Sequence, residues 1–142
     1  MNDTIVKSIT RLVIPFVQVY GIFIILNGHV SPGGGFSGGA LLGTSLILYT
    51  LVFGAIKAKH KFSHKASEIA ESGGILIFVT VGLIAIFVGM PFLTNLAAGF
   101  PAGSAGAILS AGMIPIIMIG IGIKVASTMI TLFHKLIEEV IQ

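Results

Sequence analysis

Gly28-His29-Val30-Ser31-Pro32-Gly33-Gly34-Gly35-Phe36-Ser37-Gly38-Gly39 is half glycine and stands between two long apolar runs. Glycine tolerates positive φ and close backbone approach, so a cluster this dense reads as a phosphate cradle or as a tight turn between packed helices. No Lys-Ser/Thr comes after it, which excludes a Walker loop, and no strand precedes it, which excludes a dinucleotide fingerprint. The next run of the chain is apolar: no Asp, Glu, Lys, Arg or His occurs between Val30 and Ile56.

Composition identifies the solvent. Of 142 residues, 55% are hydrophobic and 9% charged, with a mean hydropathy of +1.07, whereas a soluble domain carries about 25% charged residues. That is too little polar material to cover a water-facing surface, and an all-α integral membrane protein is expected. Zero cysteines exclude disulfide frameworks, thiol catalysis, iron–sulfur ligation and cysteine–zinc sites, and no cofactor is implied. The net charge of +3 is small, and no basic patch lies outside one loop, so nucleic acid is not a partner.

A crossing needs about 20 apolar residues. Four are expected within a single membrane domain over 1–142, at about 9–27, 38–56, 72–90 and 110–133. The first run exceeds a signal-peptide core and no small-x-small site comes after it, so it reads as a retained helix. Pro15 can kink it, and Gln18 near its middle calls for an interhelical hydrogen bond. Gly35, Gly39 and Gly43 recur at spacing four, a stripe that lets two membrane helices pack with backbones nearly touching. Pro115 is placed to break or bend the last span.

Lys57, Lys59, Lys61 and Lys65 form the densest charge run, which marks a cytoplasmic loop. Both termini then lie inside, in keeping with Lys7, Arg11 and Lys135, while the glycine stretch forms an outer hairpin and the Pro91–Ser104 return also faces outside. His60 and His64 have a metal-compatible spacing, but lysines flank them and no third ligand is evident, so no metal site is expected. Ser67-Glu68-Ile69-Ala70-Glu71 reads as the opening of the third helix, with carboxylates near its positive end.

Lys124 is the only charged residue between Ser72 and Phe133. A lysine at the bilayer centre costs about 2.5–3.5 kcal/mol on insertion scales. Ser127, Thr128 and Thr131 stand at i+3, i+4 and i+7, one small polar face that suits protein or water better than lipid. These four residues are the leading candidates for a cation or proton path. Glu71, where the third hydrophobic run begins, and His29, beside the glycine stretch, are the remaining ones.

The motif Gly28-His29-x-x-Pro32-Gly33-Gly34-Gly35-Phe36-x-Gly38-Gly39 closely resembles the signature of the B subunit of Mrp-type (Mnh) multisubunit Na⁺/H⁺ antiporters, and the likeness extends over nearly the whole chain. B subunits of stand-alone antiporters tend to carry a Phe-Asp pair before the last helix. This chain has no Asp or Glu between Ser72 and Leu136. Its Met113-Ile114-Pro115 and Ile119-Gly120-Ile121-Gly122-Ile123-Lys124-Val125 look more like the version in membrane-bound hydrogenase and sulfane-reductase complexes, where Lys124 matches the lysine of the pattern. The resemblance implies a non-enzymatic small subunit in the cell membrane of a bacterium or archaeon. Its implied partners are other antiporter subunits and a hydrogenase-like redox module, with Na⁺ and H⁺ as transported ions. A B subunit of a stand-alone antiporter and a purely structural assembly subunit without ion contact are the alternative expectations.

Overall fold

A computed structural model describes residues 3–55, 57–58, 63–104, 107 and 110–141, with the side chains of residues 64, 140 and 141 left aside. His60 and the side chain of His64, at which no metal site is expected, therefore lie outside what is described. Four α-helices and no strand are found among the described residues: α1 Asp3–Asn27, α2 Gly35–Phe53, α3 His64–Phe87 and α4 Ile114–Ile141, with a single 3-10 turn at Leu96–Ala98. All four helices are long and apolar enough to cross a membrane.

The helices stand side by side in the order α1, α2, α4, α3, because α4 packs against both α2 and α3 while α1 leans mainly on α2. Such a row leaves broad faces uncovered. Only 17% to 28% of each span is buried inside the chain, and Phe16, Phe36 and Phe87 point away from it. Helices this apolar and this bare belong against lipid or other subunits.

Glycine sets each crossing. Gly38 of α2 meets the Gly21 carbonyl of α1, where an added Cβ would stand 2.6 Å from the oxygen. The Gly35, Gly39 and Gly43 stripe faces α4: a Cβ on Gly39 would lie 2.6 Å from the Gly122 carbonyl oxygen, and one on Gly43 would lie 2.9 Å from Met129 Cβ. On the other flank of α4, a Cβ on Gly74 would stand 2.5 Å from the Gly120 carbonyl oxygen. Two residues on a helix are about 200° apart, so Gly120 and Gly122 turn α4 toward α3 and α2 respectively.

The glycine stretch divides into a turn and a helix start. Gly28 packs beneath Gly34 and Met118, and Gly33 and Gly34 take φ values of 146° and 143°, a region other residues rarely adopt. From Gly35 the chain is already helical, so Gly35 to Gly39 lie in α2 rather than in the turn. His29 Nε2 reaches across to the Ala107 carbonyl at 3.0 Å and the Ser110 hydroxyl at 3.1 Å, which ties this turn to the chain before α4.

Several boundaries differ from the hydropathy reading. Hydropathy marks lipid-compatible composition, whereas helical hydrogen bonding continues past it. Thus α1 starts at Asp3 and α3 at His64, and Glu71 lies two turns inside α3 rather than at its opening. Pro115 is the second residue of α4, where its fixed φ suits helix initiation, and it does not interrupt the span. The polar tail continues α4 to Ile141; its 28 residues extend about 42 Å, beyond the ~30 Å hydrocarbon core.

The return after α3 folds back onto its own bundle. The Phe92 ring lies on Gly82 and edge-on to Phe78, 6.2 Å between centroids. Asn95 donates to the Ala111 carbonyl at 2.9 Å and accepts from the Met113 amide at 3.0 Å, holding the backbone that enters α4. Asn95→Ala removes both bonds and leaves that amide unpaired. A loss of about 1–3 kcal/mol is expected, read as faster proteolytic cleavage of the 88–113 return in membranes.

Candidate functional site

The polar residues of α4 meet α3 along a ladder. From top to bottom, Gly74, Glu71 and Ser67 share one face of α3, and Lys124, Thr128 and Thr131 of α4 face them. At the top, Gly74 removes any side chain opposite Lys124, whose Cβ would be 2.8 Å from a Cβ on that glycine. One turn along, Thr128 Oγ1 lies 2.8 Å from Glu71 Oε1 and 2.9 Å from the Lys124 carbonyl oxygen. At the bottom, Ser127 donates to the Ser67 carbonyl, Ser67 donates to the Ser127 carbonyl at 3.2 Å, and Thr131 sits 2.8 Å from the Ser67 hydroxyl.

The two halves of this seam differ chemically. Ser67, Ser127 and Thr131 satisfy one another and join the helices where Ser127 is buried. Thr128 has one proton and faces two acceptors. Either it donates to the Glu71 carboxylate, or a protonated Glu71 donates to Thr128 while Thr128 donates to the Lys124 carbonyl. Both patterns use the same three groups and need no helix to move.

Depth sharpens the position of Lys124. It lies ten residues into α4, about 15 Å, and nine residues before Phe133, about 13 Å. A helix entering the hydrocarbon at Ile114 therefore carries Lys124 to the middle of a ~30 Å layer. A lysine side chain spans less than half the distance to either edge. Lys124 lines a side cavity of about 240 Å³ with Gly74, Ile75, Phe78 and Ile121, and among the described residues it forms no ion pair.

His29 stands apart from this seam, at the opposite end of α4. An acceptor at Ala107 requires the proton on Nε2, and Nδ1 is buried without a partner among the described residues. Phe36, at 71% exposed, projects from the bundle. Pro32 lies in the turn just before Gly33. Among the described residues no three His, Asp or Glu side chains converge as metal ligands. Sequence reasoning does not single out Ser67 and Gly74, although their i, i+4, i+7 spacing with Glu71 marks the same face.

Four apolar spans, glycine-set crossings and a polar seam define a multi-pass membrane protein. The domain related to the MnhB subunit of Na⁺/H⁺ antiporters matches residues 5–131, and the chain belongs to that family of B subunits in prokaryotic cell membranes. An uncharacterized protein of Methanocaldococcus jannaschii is 37% identical over 78% of this chain and 43% of its own length. The Staphylococcus epidermidis protein bearing the name antiporter subunit mnhB2 is 32% identical over 65% of this chain and 64% of its own. Among solved structures, a chain of the membrane-bound sulfane sulfur reductase, an archaeal respiratory membrane complex, superposes with a TM-score of 0.74 at 32% identity, covering 92% of this chain and 57% of that one. The chain thus spans about two fifths to two thirds of the length of these relatives.

Proposed function

We propose that this chain handles cations and protons as a small subunit of an antiporter-type module, with the α3–α4 seam as its polar path. The module would sit within a ferredoxin-driven respiratory assembly of the hydrogenase or sulfane-reductase type. In this reading the lysine-rich loop and both termini face the cytoplasm, in accord with the positive-inside rule, and the glycine turn is the outer hairpin. The whole of 1–142 acts as one membrane domain. His29 serves as a clamp at the outer end, through its Nε2 contacts to Ala107 and Ser110.

The observation that carries this proposal is the Glu71–Thr128–Lys124 arrangement. Ionisable side chains inside a membrane are costly and tend to persist where they face a pathway or a partner. Here a carboxyl group is bonded at 2.8 Å to a hydroxyl that also touches the backbone of the mid-membrane lysine. The closed Ser67–Ser127–Thr131 set favours a second reading, in which the seam is packing alone and the subunit is purely structural.

Glu71→Gln separates the two. The amide keeps a bond to Thr128 but cannot bind and release a proton. In complexes verified to hold every subunit, ion-coupled transport is expected to fall by about ten-fold or more, the effect of roughly 1.4 kcal/mol on a barrier. Transport at the wild-type rate in intact complexes would leave the structural reading in its place.

A further inference from the structure

The interhelical bond that Gln18 calls for is not made within the chain: among the described residues its side chain has no hydrogen-bond partner. Instead Gln18 lines a groove of about 330 Å³ that runs over α4, bounded by Leu42 and Leu46 of α2 and by Ala66, Ser67 and Ala70 of α3. Its floor on α4 includes Ala126 and Ser127. Gln18 lies nine residues, about 13 Å, from the end of α1 at Asn27, and fifteen residues, about 22 Å, from its start at Asp3. It is therefore inside the hydrocarbon layer, where an unpaired amide costs on the order of 2–7 kcal/mol.

We propose that this groove receives a transmembrane helix from a different subunit of the same complex, and that this helix presents an amide, hydroxyl or imidazole group to Gln18. The unpaired amide decides the occupant. An acyl chain offers neither donor nor acceptor at this depth, whereas a polar side chain on a helix offers one or both. The groove suits a helix for a second reason: the small side chains of Ala66, Ala70 and Ala126 let another backbone come close, while Leu42 and Leu46 line its α2 side. Ser67 and Ser127 are already bonded to each other, so Gln18 is the group that sets the register of the incoming helix. This inference rests on the chain being one subunit of a multisubunit membrane assembly. It does not depend on whether the α3–α4 seam carries ions.

A photoreactive benzophenone amino acid at Leu46, introduced into the complete complex, tests it, with the same probe at Leu42 as the alternate position. After illumination the adduct is mapped by mass spectrometry. It is expected within a membrane-spanning segment of one other subunit of the complex, no more than about one turn from a polar residue, and the same probe at Phe87 on the outer face of α3 should not yield that adduct. Gln18→Leu is expected to lower its yield several-fold. Lys124→Ala should leave the yield unchanged, which keeps this result separate from the transport reading. Adducts confined to lipid, adducts between two copies of this chain, or no protein adduct from either groove position overturn the proposal.

Discussion

Replacing Gly39 by leucine is expected to strip this subunit from its complex, lowering the amount recovered with its neighbours by about ten-fold or more. The α2–α4 contact leaves no space for a side chain. Even the first carbon would stand 2.6 Å from the Gly122 carbonyl oxygen, 2.9 Å from Val125 Cβ and 3.0 Å from the Gly122 Cα. Two of these atoms are backbone and cannot swing aside, so the helices must separate. Gly35 and Gly43 share the stripe, and their contacts would open with it.

Overpacking of this kind costs about 1–3 kcal/mol and occasionally more, against a total stability of only about 5–15 kcal/mol. Membrane helices lack a strong hydrophobic drive toward one another, so lost van der Waals contact is not made up elsewhere. The internal comparison is Gly73→Leu. A Cβ at Gly73 meets nothing within 4 Å, and leucine has the higher helix propensity by somewhat under ~1 kcal/mol. Normal recovery of the Gly73 variant beside loss of the Gly39 variant locates the effect at the helix contact. Equal recovery of both would mean that α2 and α4 are not held by this stripe.

Some of this structure is readable from the residues alone because it depends on composition and local spacing. Four apolar runs require four helices, the glycine spacing of four requires a close crossing, and Lys124, Ser127, Thr128 and Thr131 have to share a face. Their positions come from the helical repeat of 3.6 residues. What α4 faces is a different kind of information. That Thr128 bonds Glu71, or that His29 bonds Ala107 and Ser110, joins residues 57 to 81 positions apart, and nothing in one stretch specifies its distant partner. The pattern of Ser67, Glu71 and Gly74 is present in the sequence, but Ser67 and Glu71 also fit the start of a helix, which hides the face they form. Pro115 misleads for a similar reason: proline either bends a helix or begins one, and the choice depends on where the preceding loop ends.

Lys124→Ala is expected to abolish most ion-coupled transport while leaving assembly intact. The side chain sits beside Gly74 and lines a cavity with apolar neighbours, so its removal takes away the amine at mid-membrane without breaking a helix crossing. Alanine keeps the helix and the Lys124 carbonyl that Thr128 contacts. The insertion cost of about 2.5–3.5 kcal/mol for a central lysine means that the variant should be no harder to place in the membrane than the native chain. A subunit whose lysine takes no part in ion handling would on this ground tolerate the change or improve with it. Lys124→Arg retains a charge but cannot lose its proton in a protein, so it distinguishes a fixed field from a group that exchanges protons.

The most direct measurement is ion-coupled transport by purified complexes in sealed vesicles, each preparation first shown to contain every subunit in native proportion. If the seam handles ions, Lys124→Ala transports at about a tenth of the native rate or less, a barrier change of roughly 1.4 kcal/mol or more, with subunit content unchanged. Native transport rates by fully assembled Lys124→Ala complexes contradict the account and leave α3 and α4 joined by a packing seam alone.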